Sequence, residues 1–296
     1  GNVRTYKGFE DLLDKKNISL KFQAENGKYY SLSKFFKTKE FGSRDCTRKE
    51  ILAMNELRKE VNKAIKGSGT DAITIELIDF SSGEIIDVVD DVIGVEQSKK
   101  VDGTDPKSDF ELVRKDNKPR IYISHKWGKE PKHFGQWSGA TSKAGAAIHE
   151  HPEVQKFIED LIATQYITPL QPPRTEKGRT LEYEYQSGVS VGRKVEDNKL
   201  KMLAVFGNGF DISAPGNVEN VDVVAQGNII LQKCGDDSFA LTAHHMMLRK
   251  SAGFEWDEGY EPALVSRFAT ARTNFNISGL RMTIYPTGGR HVSEWI

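Results

Sequence analysis

Apolar and polar residues alternate along two runs within residues 18–36, ISLKFQAENGKYYSLSKFF, and the period of two predicts a strand pair. Glu25-Asn26-Gly27 separates the runs, and Asn-Gly is favoured where a tight turn needs positive φ, so a hairpin is expected. The period then lengthens. Met54, Leu57, Val61 and Ala64 recur at spacings of three and four, which predicts a helix from Thr47 to about Lys66. Thr47 with Glu50 would form a capping box, and Gly67-Ser68-Gly69 would end the helix.

Strand character returns over residues 72–95. AITIELIDF and EIIDVVDDVIGV are rich in β-branched residues and are separated by Ser81-Ser82-Gly83. Two shorter strands are expected at 110–113 and 120–124, around the turn Lys115-Asp116-Asn117-Lys118. A second helix is expected from Pro152 to about Thr164, burying Val154, Phe157, Ile158, Leu161 and Ile162. Residues 168–180 carry Pro169, Pro172 and Pro173 in polar surroundings and read as a linker. That reading gives a core over 1–167, including the N-terminal hairpin, and a β-rich region over 181–296. The latter holds the strand-like runs KLKMLAVF, VDVVAQGNIILQ, SFALTAHHMML and LRMTIYP, and it can belong to the same domain. The expected class is α/β or α+β, a mixed sheet with few helices.

Composition narrows the picture. The 296 residues are 38% hydrophobic and 28% charged, which excludes wholesale disorder. No apolar stretch approaches the ~18 residues of a membrane span, so a soluble protein is expected. The opening GNVRTYKGFEDLL has no apolar secretory segment, which predicts a cytoplasmic location. Two cysteines, Cys46 and Cys234, exclude a disulfide framework and a cysteine-rich zinc site. His149-Glu150-His151 lacks the four-residue spacing of a helical zinc pair. Lysine plus arginine and aspartate plus glutamate both number 42, so the chain has no formal net charge. The charge is uneven, however. Residues 106–135 hold eight cations, Lys107, Arg114, Lys115, Lys118, Arg120, Lys126, Lys129 and Lys132, against four acids, Asp109, Glu111, Asp116 and Glu130. Trp127, His133, Phe134 and Trp137 interleave with them, and aromatics among lysines can stack on unpaired bases.

Within this stretch, GTDPKSDFELVRKDNKPRIYISHK, Asp109 opens one expected strand, while Ser124 and Lys126 close the next. Ser124 and Lys126 are two apart and share a sheet face, with His125 on the other. A hairpin would bring Asp109 to that pair. A carboxylate and a lysine so held can serve metal-assisted phosphodiester chemistry, with the acid binding a cation and the lysine orienting or deprotonating water. Magnesium suits such an oxygen site.

These residues resemble the PD-(D/E)XK nuclease superfamily, the restriction-endonuclease-like fold. The match lies in Asp109 of SDFEL and in Ser124-His125-Lys126 as a serine variant of the acid-x-lysine half, and it covers roughly residues 47–165. ISHKWGKEPKHFGQWSG looks like phage-encoded members of the group. The resemblance implies a central mixed sheet flanked by helices, here with a β-rich C-terminal extension. It implies Mg²⁺ or Mn²⁺ as cofactor, DNA as partner, and catalytic roles for Asp109, Ser124, Lys126 and Glu50. A helix preceding the core often adds an acid in this family, and Glu50 is that acid here. Ser124 stands where the family carries a second metal-binding acid, which leaves Asp109, Glu50 and Glu111 as the metal ligands. The candidate DNA contacts are Lys107, Lys129, Lys132 and Gln136. The function expected is a metal-dependent deoxyribonuclease, endo or exo, cytoplasmic in a host if phage-encoded, with no membrane partner and a homodimer allowed. The alternative is a catalytically reduced DNA-binding or virion-associated protein that keeps the fold as a scaffold.

Overall fold

The computed structural model describes residues 21–23, 29–31, 45–78, 84–100, 106–131, 137–140, 146–176, 179–186, 189–207, 220–249, 256, 259–267, 281–285 and 292–296. The chain divides into two compact units, residues 1–52 and 53–296. In the first, β1 (Lys21–Gln23) and β2 (Tyr29–Ser31) pair antiparallel, Phe22 opposite Tyr30, as the alternating pattern predicted. Helix α1 spans Asp45–Ser68 and crosses the boundary between the units. It begins two residues before Thr47, so Thr47 lies in its first turn and the expected capping box is not its start.

The second unit is built on an eight-stranded mixed sheet. Its first four strands in sequence form a meander: β3 (Ile73–Ile78), β4 (Ile85–Gln97), β5 (Phe110–Arg114) and β6 (Ile121–Lys126), each antiparallel to the one before. A one-turn 3₁₀ helix, Lys115–Asn117, closes the β5–β6 hairpin, and Asp116 and Asn117 both take φ near 55° there. Aspartate and asparagine tolerate that left-handed region, which is why this turn chemistry suits the site. Ile73, Ile75, Leu77, Val89, Val92, Val95, Phe110, Leu112 and Ile123 are buried, as are Met54, Leu57, Val61 and Ala64 of α1. The Arg58 guanidinium of α1 donates to Val95 O at 2.7 Å, so the predicted apolar stripe of that helix lies over the meander.

Further along the chain come β7 (Ser138–Gly139), the short helix α2 (Ala146–His149) and α3 (Pro152–Ala163). α3 forms where the pattern predicted, with Val154, Phe157, Ile158 and Leu161 buried, while Ile162, expected with them, is only partly buried at the edge of the core. Its N-cap is His151, whose Nδ1 accepts from Glu153 N at 3.3 Å, while His149 Nδ1 meets Ala140 O at 3.0 Å. Residues 168–180, expected as a linker, are instead part of a hairpin of β8 (Ile167–Glu176) and β9 (Arg179–Tyr185). The ladder breaks between Pro169 and Arg174, where the prolines lie. A two-stranded ribbon has free edges on both sides, so residues that cannot donate N–H are tolerated in it.

KLKMLAVF, expected as a strand, is helix α4 (Asn198–Phe206). The Asp197 carboxylate caps it by accepting from Leu200 N at 2.8 Å, and Gly207, at φ 121°, follows its end. Every residue from Leu200 to Phe206 is buried. A helix covered on all sides carries no amphipathic period, so its apolar run reads like a strand.

Four later strands complete the large sheet: β11 (Val223–Gln226), β12 (Ile230–Lys233), β13 (Ser238–Thr242) and β14 (His245–Leu248). The order is β12-β13-β3-β4-β5-β6-β11-β14, with β11 parallel to β6 and β13 parallel to β3. β7 joins β10 (Ser190–Lys194), β15 (Glu261–Arg267), β16 (Arg281–Tyr285) and β17 (Glu294–Trp295) in a smaller sheet. Val224 and Met247 of the large sheet share one apolar core with α3, α4, Val191 and Leu264. The result is a mixed α+β unit, a large mixed sheet with few helices. Among the described residues no helix is long and apolar enough to cross a membrane.

Candidate functional site

Asp109 stands at the open end of the β5–β6 hairpin, held from two sides. Its N–H donates to Ile123 O at 2.8 Å, and its carbonyl accepts from Ser98 N at 3.2 Å, which ties it to the strands flanking β5. Behind it, the Ser108 hydroxyl donates to Ser98 Oγ at 2.8 Å. The Asp109 carboxylate is aimed by β6. Oδ2 accepts from His125 N at 2.6 Å and from Ser124 Oγ at 3.3 Å. Lys126 ends β6 two residues beyond Ser124, on the same face of the sheet. The register continues that face into β11, where Val224 lies opposite Ser124 and Gln226 opposite Lys126. The predicted trio of Asp109, Ser124 and Lys126 is therefore assembled at one sheet end.

Glu50 belongs to the first unit, while Asp109, Ser124 and Lys126 belong to the second. Glu111 is on the Asp109 face but is buried and held by Arg120, whose Nη1 donates to its carboxylate at 2.8 Å. Lys132 and Gln136 lie outside the described residues, as do His133 and Phe134. Lys129 is exposed. Trp137 is buried, so it cannot offer a face to a base.

Lys107 has a role that spacing did not reveal. Its amine donates to Ala204 O at 2.8 Å and Trp137 O at 3.3 Å. Ala204 is in the last turn of α4, where carbonyls lack helical partners, so the lysine acts as a C-terminal cap. Burial and the Lys126 charge push Lys107 down to about 7, against the opposite pull of Asp109. Lys107 thus feels both Lys126 and Asp109.

The cationic excess over 106–135 is also dispersed. Arg114 pairs with Asp90, Lys115 with Asp71, Lys118 with Asp90 and Asp91, and Arg120 with Glu96 and Glu111. These four residues sit at the closed end of the hairpin, away from Asp109. Most of these pairs are open to solvent and add little stability. Lys126 and Lys129, at the open end, are not among these paired cations.

The implied divalent ion can be tested against these donors. Among the described residues no three His, Cys, Asp or Glu side chains form a metal-binding group. Magnesium, however, typically uses one or two protein carboxylates and fills the rest of its shell with water and phosphate oxygens. Asp109 with the Ser124 hydroxyl fits that sparse arrangement and no fuller one.

Sequence reasoning missed Gln226 and Tyr260. Gln226 is fully buried, its Nε2 donates to Glu130 O at 2.9 Å, and its Oε1 accepts from Tyr260 OH at 2.6 Å. The His245 ring stacks on Tyr260 with centroids 3.7 Å apart. A lone amide closing the apolar run VDVVAQ was the available signal.

His125 points to the opposite face and is fully buried. Its Nε2 meets Gly227 O at 2.7 Å, which makes Nε2 the protonated nitrogen of the neutral ring. Burial holds its pKa below the ordinary 6.5. Protons then bind the unfolded chain better, so this stabilisation is present above about pH 6.5 and is lost as pH falls below it. A His125→Leu variant is expected to show a flatter fall in melting temperature between about pH 7 and 5 than the parent. Parallel curves over that range would refute the assignment.

No protein-family model, curated protein or solved structure matches the chain. The class that the fold and site define is the mixed α+β architecture with Asp109, Ser124 and Lys126 gathered at one end of its large sheet.

Proposed function

We propose that the chain is a divalent-metal-dependent deoxyribonuclease with a restriction-endonuclease-like core. The observation that carries this reading is the Asp109 carboxylate, fixed by the Ser124 hydroxyl and the His125 N–H beside the strand end that bears Lys126. Asp109 and Ser124 would hold the ion, which when bound polarises the scissile phosphate and lowers the pKa of water. The chain's own contributions follow from its geometry. The His125 amide keeps one Asp109 oxygen occupied and thereby orients the other. Lys126 orients the attacking water and offsets charge developing on the phosphate. Gln226 closes the site wall beyond Lys126.

Incubation with supercoiled, linear and single-stranded DNA in Mg²⁺, Mn²⁺ or EDTA tests this. Cleavage is expected with metal and not with EDTA. Asp109→Asn keeps the shape and the acceptor for His125 N, so it should fold, lose cleavage, and bind DNA as well as the parent or slightly better, one negative charge facing phosphate having gone. An active Asp109→Asn enzyme would exclude Asp109 from the site.

A specific observation favours a second reading, a DNA-binding scaffold without catalysis. A serine occupies position 124, and Glu111, the acid two residues along β5 from Asp109, is already paired with Arg120. DNA binding with no cleavage under any metal condition would select it.

A further inference from the structure

We propose that Trp127 is a preformed stacking platform for an unpaired base, which makes single-stranded DNA the substrate class of this site. The inference rests on the reading of Asp109 and Lys126 as a phosphodiester site. Trp127 directly follows Lys126 and is 42% exposed. Its loop is pinned at several points. Gly227 N donates to Lys126 O at 2.9 Å. Gly227, at φ +84°, lies so close that an added Cβ would stand 3.1 Å from Gly128 O and 2.8 Å from His244 Cβ. Gly128 itself takes φ 97°, a turn that other residues rarely adopt. Glu130 O is held by the Gln226 amide, and a Cβ on Gly259 would lie 3.1 Å from Pro131 Cγ.

An indole presented on a fixed loop loses little freedom when it stacks, which favours binding. A base within a duplex has both faces covered by its neighbours, whereas an unpaired base offers one to an aromatic ring. Lys126 on one side and exposed Lys129 on the other supply charge for the adjoining phosphates. The buried Gln226–Tyr260 pair, which the hydrolytic reading barely uses, gains a purpose as the anchor of this loop.

The test is fluorescence-anisotropy binding of a labelled short oligothymidine and of a blunt duplex of equal length, in EDTA at fixed salt. The parent should bind the single strand more tightly. Trp127→Ala should weaken single-strand binding by about tenfold or more and leave duplex binding unchanged. Trp127→Phe should restore most of the loss. Melting curves of both variants establish that they fold. Equal single-strand affinity in Trp127→Ala and parent, or a parental preference for duplex, would overturn the proposal. So would a change of oligomeric state in Trp127→Ala, which would assign the indole to a contact between copies. Because binding is read in EDTA, a protein that binds through Trp127 yet cleaves nothing defeats only the nuclease reading. A protein that cleaves without using Trp127 defeats only this one.

Discussion

Lys126→Ala is expected to lower DNA cleavage by about 10²–10⁴-fold, the scale of a positioned proton-transfer group, with a far smaller change in affinity. The asymmetry follows from position. Lys126 lies at the strand end beside Asp109, whereas affinity is shared with Lys129 and the exposed Trp127. Lys107 will not substitute for it, since its amine is committed to Ala204 O and Trp137 O. Removing Lys126 also removes a charge that depresses Lys107, so Lys107 should hold its proton to higher pH in the variant. Single-turnover cleavage beside a gel-shift titration measures both effects. Parental cleavage rates in the variant would take Lys126 out of the mechanism.

The second large effect is on stability. Arg249→Ala is expected to cost about 3–5 kcal/mol, because it removes a buried guanidinium and takes its cation from a partly buried carboxylate. Arg249 is 2% exposed, and its guanidinium donates to Asp222 Oδ1 at 2.9 Å. The other Asp222 oxygen accepts from Tyr122 N at 2.9 Å, and the Asp222 N–H donates to Tyr122 O at 2.8 Å. One residue thus joins the start of β11 to β6 and the end of β14, which fixes the register that sets Gln226 against Lys126. Melting should fall by roughly 6–20 °C, at about 2–4 °C per kcal/mol for a chain of this size. Asp222→Asn combined with Arg249→Met leaves no buried charge and should lose less than Arg249→Ala alone. Unchanged melting in Arg249→Ala would show that the pair carries no such weight.

Much of the meander was legible beforehand. The β-branched runs of β3 and β4, the Lys-Asp-Asn-Lys turn and the stripe Met54–Leu57–Val61–Ala64 each carry a local period or turn chemistry that tertiary context did not override. The same logic set Ser124 and Lys126 on one face and placed Asp109 beside them, since a short hairpin leaves little freedom of register. Where local signals were absent or mixed, expectation failed. α4 is apolar on every side, and the prolines of β8 describe a tolerated edge as well as a linker.

Sequence alone therefore determined most local elements and the placing of an acid and a lysine at one end of one hairpin, because those depend on contacts a few residues apart. Only the tertiary structure decided the rest. Glu111 is lost to Arg120, and the cationic excess is spent on Asp71, Asp90, Asp91 and Glu96. Lys107 caps a helix some hundred residues away, and Gln226 and Tyr260 arrive from β11 and from the residue before β15 to hold the loop after Lys126. These partners are distant in the chain. Their meeting is set by which faces the sheet buries and by the order of its strands, and neither leaves a period in the sequence.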